Sequence, residues 1–238
     1  MLIHQHEITL SPEDFDSRGN ILPAAVLSAL QDLASSHAEL LGVGFDNMLR
    51  QNLLWVVTQV KYQVCAPSSP GTVIGITWPL PPVHVGYERE YVLRSASGEV
   101  LLKAMSMWML IDCDTRRLAA VDNVYPQGEH CTERCFEKRA RRLRDFDAQD
   151  EGYIVHPQES DIDWNGHVNN TKYAGFVTDA LGDIGGVIDT FQIDYISEVM
   201  RTDELHLHSA HSGGSTLVKG VDSAGKRMFA CAIEYKSE

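Results

Sequence analysis

No part of the chain approaches the ~20 consecutive apolar residues that a membrane-spanning helix needs, although 44% of its 238 residues are hydrophobic, enough for a sizeable core. Cysteine is scarce and odd in number: the five residues are scattered, so no disulfide framework is expected and a reducing cytoplasm is the natural setting. Positive charge is in deficit. Twenty Lys and Arg stand against 33 Asp and Glu, a net charge of −13, which excludes general nucleic-acid affinity because phosphate binding needs clustered cations. The opening residues Met1 to Glu7 lack a basic region followed by an apolar one, so no secretion signal is expected. His130, Cys131 and Cys135 lie close together, but no second Cys/His pair stands at ligand spacing, so these are read as buried or linker thiols, with neither metal nor cofactor expected.

What is present concentrates in one stretch, Asp163-Trp164-Asn165-Gly166-His167-Val168-Asn169-Asn170. Behind it Tyr173, Phe176, Val177, Ala180 and Leu181 recur at helical spacing. Asn, Asp and Gly suit the turn before a helix. The unpaired N–H groups of a helix start, here near Val168 to Asn170, are candidate donors to a developing oxyanion. The stretch therefore offers a carboxylate, a carboxamide and an imidazole together, although a plain helix cap with a surface histidine contains the same residue types.

The chain also repeats itself. Asp16-Ser17-Arg18-Gly19-Asn20 precedes a first helix pattern through Val26, Leu27, Leu30, Leu33, Ala34 and Leu41, with Pro23 at its start and Gly42 at its stop. Both copies read Asp-x-x-Gly and then a helix, and each is followed by β-rich segments. These span 53–64, 73–78, 87–94 and 100–111 in the first copy, and 191–196, 205–209, 216–221 and 228–235 in the second. Ser97-Gly98 and Ser223-Ala224-Gly225 read as hairpin turns. Gln59-Val60-Lys61-Tyr62 aligns with Gln192-Ile193-Asp194-Tyr195. The predicted class is α+β: a first unit over 1–127, a charged linker or surface helix over 128–150, and a second unit over 151–238, each a long helix wrapped by an antiparallel sheet. The copies differ where chemistry would sit: His167 stands where the first has Asn20, Asn165 where it has Arg18, and Glu198 where it has Cys65.

On these residues the chain resembles the acyl-acyl carrier protein thioesterases, which have a tandem (double) hotdog fold. The signature Asp163-x-Asn165-x-His167-Val168-Asn169-Asn170-x-x-Tyr173 is similar to that family's active-site string. The resemblance implies hydrolysis of fatty acyl thioesters on acyl carrier protein, with the acid Glu198 on the strand after the second helix. Plant members place a Cys beside that acid; here the residue is Val199, which favours activation of water over a Cys–His scheme. In this reading Glu198 is the general base, Asn165 and His167 orient water or the thioester oxygen, and Asp163 holds the loop and the His tautomer. The reverse assignment, Asp163 as base or nucleophile with Glu198 structural, stays open.

Met105, Met107 and Met109 share one strand face; they are candidates for an acyl tunnel or plain core, and Asn169 and Asn170 complete the substrate-binding set. Acyl carrier proteins are acidic as a class, so docking needs a basic patch, for which Arg139, Arg141 and Arg142 in the linker are the candidates. The alternatives are an acyl-CoA thioesterase with the same site and a non-catalytic acyl-thioester sensor. Because a tandem chain already contains the pairing that single-unit proteins make by dimerising, a monomer or a homodimer is expected.

Overall fold

The computed structural model describes residues 2–82, 86–119, 123–148, 151–182, 186–212 and 214–236. The first half runs β1 (His4–Leu10), α1 (Pro23–Leu40), α2 (Phe45–Leu49), β2 (Leu53–Val64), β3 (Gly71–Pro79), β4 (Gly86–Arg94) and β5 (Val100–Asp112). The second runs β6 (Tyr153–Val155), α3 (Lys172–Leu181), β7 (Ile188–Tyr195), β8 (Leu205–Ser212), β9 (Ser215–Asp222) and β10 (Arg227–Tyr235). All the strands join one ten-stranded sheet in the order β1-β3-β4-β5-β2-β7-β10-β9-β8-β6. The order is palindromic by role, with an edge strand from the N-terminal part of each unit at either end. The edge strands β1 and β6 were not expected from the sequence. β1 is rich in His, Gln and Glu, and β6 is three residues long, so neither carries a recognisable apolar alternation.

The two units meet at β2 and β7. Val60 pairs with Ile193, Gln59 with Asp194 and Lys61 with Gln192. Val60 thus faces its own counterpart in the internal alignment, while Gln59 and Lys61 each face the counterpart of the other, which is the register of a pseudo-two-fold axis between Val60 and Ile193. Tyr62 and Phe191 stack across the joint at 5.2 Å. On one face of the sheet α1 and α3 lie side by side. Their apolar stripes, Val26, Leu27, Leu30, Leu33 and Ala34 on one and Tyr173, Ala174, Phe176 and Val177 on the other, enter a single core with residues from both halves of the sheet. Burial of a Leu or Phe side chain is worth about 1.5–3 kcal/mol, so this shared core makes the halves one cooperative body.

The linker is neither helical nor free. It crosses the other face of the sheet as an extended strap. Near its start Glu133 O accepts from the Trp78 indole at 3.0 Å. Cys135 donates its N–H to Glu90 at 3.0 Å, and Arg134 and Arg139 both pair with Glu88, which is fully buried. Beyond the middle, Arg141 O accepts from Gln192 at 2.8 Å and Leu143 N–H donates to Asp194 at 2.6 Å. Lys219 of β9 holds Asp145 at 3.0 Å. This explains a buried row of polar residues on the sheet: Glu88, Glu90, Gln59, Gln192 and Asp194 are the strap's anchors.

The same register corrects the reading of the methionines. Met105 pairs with Lys61 and Glu90, and Met107 with Gln59 and Glu88. Directly paired residues share a face, so Met105 and Met107 lie on the strap side, and Met109 follows by alternation. They are away from the helices.

Candidate active site

The two Asp-x-x-Gly loops have one design. In the first, Asp16 Oδ1 accepts the N–H groups of Arg18 (2.9 Å) and Asn20 (2.8 Å), while Asp16 N–H bonds Asn20 O. In the second, Asp163 Oδ1 accepts from Asn165 (2.8 Å) and His167 (3.3 Å), and Asp163 N–H bonds His167 O. Gly19 and Gly166 both sit at φ +81°, where a Cβ would strain the turn. Asp163 thus grips the backbone of His167, as its counterpart grips that of Asn20.

Beyond the loop the copies diverge. The N–H of Val168 bonds Val199 O and that of Asn169 bonds Asp161 O, and α3 starts only at Lys172. The expected oxyanion donors at Val168 and Asn169 are therefore already engaged in holding the loop. Asn169 Oδ1 turns back to Thr171, accepting from its N–H and hydroxyl.

Glu198 is likewise displaced from its expected place. β7 ends at Tyr195, where Ile196 and Ser197 both donate to Met228 O. In the first copy the matching double bond, Cys65 and Ala66 to Leu101 O, comes at the end of a strand that runs to Val64. Against the alignment of β2 with β7, the chain leaves the sheet two residues early. Glu198 lies in the following turn rather than on the strand. A bridge between His167 and Met200 and the Val168–Val199 bond draw that turn beneath the loop. His167 Nε2 comes 3.6 Å from Glu198 Oε2, and the other carboxylate oxygen pairs with Arg116 from the turn after β5. Val199 is fully buried beside this pair, and among the described residues no cysteine lines the cleft.

Two cavities meet at this loop. One, about 480 Å³, is lined by His167, Glu198, Arg116, Tyr173, Tyr195 and Lys226, among others. The other, about 290 Å³, lies in the first unit between α1 and the sheet. It is lined by Ala34, Ala38, Val43, Met48, Trp108 and Tyr125 among others. Leu54, Trp55, Asp163, Asn165 and Asn170 belong to both. Asn165 is thus set where the two chambers meet, both of them of mixed polar and apolar lining. Strand β5 presents Trp108 to the second of these chambers; none of Met105, Met107 and Met109 lines either chamber. Around the loop Trp164 packs edge-on against Phe45 of α2 at 4.0 Å. The Tyr195 hydroxyl donates to Asn170 O at 2.9 Å, and burial raises the hydroxyl pKa values of Tyr173 and Tyr195; both therefore remain protonated donors.

The structure thus brings Asp163, Asn165, His167, Asn169, Asn170 and Glu198 into one region and leaves the methionine stripe outside it. Sequence reasoning missed Arg116, Trp55 and Phe45. Their signal is not local: each reaches the site from the first unit, through the fold. The thiols stand apart. Cys135 bonds Tyr91 O at 3.2 Å, and its pKa is pushed up to about 12, by burial first and then by Glu90. Among the described residues no group of His, Cys, Asp and Glu is arranged as a metal-binding set.

The Acyl-ACP thioesterase N-terminal domain model matches residues 2–127, and the C-terminal domain model matches residues 145–236. The chain belongs to the acyl-ACP thioesterase family. A palmitoyl-acyl carrier protein thioesterase of Arabidopsis thaliana is 32% identical over 170 residues, covering 65% of this chain and 41% of its own. A dodecanoyl-[acyl-carrier-protein] hydrolase of Umbellularia californica is 28% identical over 219 residues, covering 81% and 55%. This family member therefore spans about half the length of the curated relatives it matches. Its fold is that of the solved acyl-ACP thioesterase from Bacteroides thetaiotaomicron (TM-score 0.84, 21% identity, 99% and 98% coverage). It is also that of the 12:0-ACP thioesterase from Umbellularia californica (0.83, 23%, 100% and 98%). The double hotdog architecture is thus established for this chain. No described helix is long and apolar enough to cross a membrane.

Proposed function

We propose that this protein hydrolyses fatty acyl thioesters on acyl carrier protein, releasing the free acid and the carrier thiol. The observation that carries the reading is the placement of Asn165 where the chamber between α1 and the sheet meets the chamber holding His167 and Glu198. A chain in the first chamber presents its thioester at Asn165, with water and base on the other side. Glu198 takes the proton of water through the carboxylate oxygen that faces His167, while Arg116 holds its partner oxygen. His167 and Asn165 orient the water and the thioester oxygen. The hydroxide equivalent adds to the carbonyl carbon, the tetrahedral intermediate collapses, and the C–S bond breaks, with the proton passing from Glu198 to the leaving thiolate. Asp163 has the smaller part, since its counterpart Asp16 makes the same backbone bonds in a loop without this chemistry.

Carrier docking falls to the strap, which passes beside the cleft: Arg142 donates to the carbonyls of Thr58 and Tyr195, and both residues line it. Arg139 is engaged with Glu88, which leaves exposed Arg141 as the leading contact for an acidic carrier. The five free cysteines suit a reducing compartment. A panel of acyl-carrier-protein and acyl-CoA thioesters, read by thiol release, tests the assignment. Faster turnover on the carrier is expected. Preference for CoA would assign the alternative donor, and release from neither would leave a binding protein.

A further inference from the structure

The chamber between α1 and the sheet has one cation on its wall, beside the carboxylates of Glu39 and Asp163, which are engaged with backbone N–H groups. Arg89 of β4 lines it and is only 4% exposed. Its NH1 donates to Nδ1 of His37 at 2.9 Å and to Thr77 Oγ1 at 3.3 Å, and Tyr125 lines the same chamber. Among the described residues no carboxylate pairs with it. Its strand neighbours Glu88 and Glu90 face the strap, where they meet Arg134, Arg139 and Cys135. Glu39, which lines the same chamber, accepts from the N–H of Phe45. His37 adds no negative charge, because a ring that accepts at Nδ1 is neutral. The chamber therefore holds a buried cation whose partners are neutral. Such a group is costly unless a ligand supplies the missing acceptor.

Its place in the sheet says where on a ligand that acceptor belongs. The catalytic loop shares Leu54 and Trp55 of β2 with the chamber. β4 stands two strands from β2, roughly 10 Å across the sheet at the usual strand spacing. Arg89 is thus remote from the thioester end of a bound chain.

We propose that the chamber selects acyl chains that carry an oxygen function remote from the thioester, a carboxylate in first place, and that Arg89 is the residue that binds it. The inference rests on the thioesterase reading and names the substrate class. A methyl terminus reaching Arg89 strips water from the guanidinium and returns nothing. A carboxylate returns charge-assisted bonds in the fork geometry that arginine favours. Thr77 and His37 fix NH1 and so orient that fork. Sites built around buried polar groups reject analogues that leave those groups unpaired more strongly than apolar slots reject an extra methylene.

The test compares carrier-linked thioesters of matched length ending in methyl, hydroxyl or carboxylate, with kcat/KM read by thiol release. The wild type is expected to favour the carboxylate over the methyl end by at least about tenfold, the scale of one charge-assisted bond. Arg89→Leu is expected to reverse that order and to gain on long methyl-terminated chains, and Arg89→Lys to keep part of the preference. A gain on one substrate with a loss on another cannot come from misfolding. In parallel, calorimetry compares free dodecanedioate with dodecanoate; tighter diacid binding that Arg89→Leu abolishes is expected even if no thioester is cleaved. Methyl-terminated chains favoured at every length, or a carboxylate preference unchanged in Arg89→Leu, overturns the proposal. Cleavage of none of the thioesters overturns the hydrolase reading instead, and equal binding of diacid and monoacid then overturns this one.

Discussion

At the scale of single residues the two loops act as each other's controls. Asp16 and Asp163 accept equivalent N–H groups, and an asparagine oxygen can accept them too. Asp163→Asn is therefore expected to keep its melting temperature and most of its turnover, whereas Asp163→Ala loses about 0.5–2 kcal/mol, the cost of removing a capping acceptor. A folded Asp163→Asn that has lost a hundredfold in kcat would make Asp163 the base. His37 supplies a pH dependence. Burial, then Arg89 and His4, lower its pKa from 6.5 to about 3. The unfolded chain binds the proton below pH 6.5 and the folded one does not. Stability is thus complete above pH 6.5 and falls as pH drops towards 3, by at most about 1.4 kcal/mol per pH unit. Replacing His37 with Gln should flatten the melting-temperature profile between pH 6.5 and 4; an unchanged slope would exonerate His37. Asn165 and His167 stand out in the sequence because the first copy lacks them, and the structure places them on one cleft with Glu198. Arg116 and Arg89 do not stand out, because arginine in a strand or turn gives no local sign of a partner dozens of residues away.

At the scale of elements, small departures from the repeat make the site. β7 ends early and drops Glu198 into a turn under the loop, whereas the family resemblance implies a place on the strand and the extended register only matches it to Cys65. The strap, read as a linker or surface helix, is an extended clamp, because its hydrogen bonds go to buried side chains on the sheet rather than to its own backbone. Composition signals a connector but not what it binds. Alternation in β5 found the strand but not which face looks inward, and pairing settles that. Ala38→Phe, on the chamber wall, is accordingly expected to shift preference to shorter chains by filling the slot, while Met107→Trp leaves preference unchanged. The reverse pattern in folded variants would return the tunnel to the methionine face. Arg139→Glu sets a second carboxylate beside buried Glu88 and is expected to cost about 1–3 kcal/mol, less than a fully buried pair because Arg139 is half exposed and Arg134 remains. Denaturant unfolding reads this. Arg141→Glu is expected to leave stability alone, raise KM for carrier-linked substrate and flatten its salt dependence.

At the scale of the molecule, duplication supplies a symmetric frame and divergence assigns the tasks. The first unit provides most of the wall of one chamber and Arg116, and the second provides the loop and Glu198. The tandem fold was readable from the repeated Asp-x-x-Gly–helix–sheet order and the matched strand, and the β2–β7 pairing gives that match its physical meaning. The meeting of two cavities at Asn165 was not readable, since it depends on how two curved half-sheets close over their helices. The central claim is that this junction is a hydrolytic centre in which Glu198 and His167 act on water. Its most direct test is kcat for thiol release from acyl carrier protein thioester by the folded wild type, Glu198→Ala and His167→Ala. The account predicts release by the wild type and losses of at least about a hundredfold in each variant, the low end for removal of a general base. Near-normal turnover in either variant would contradict it.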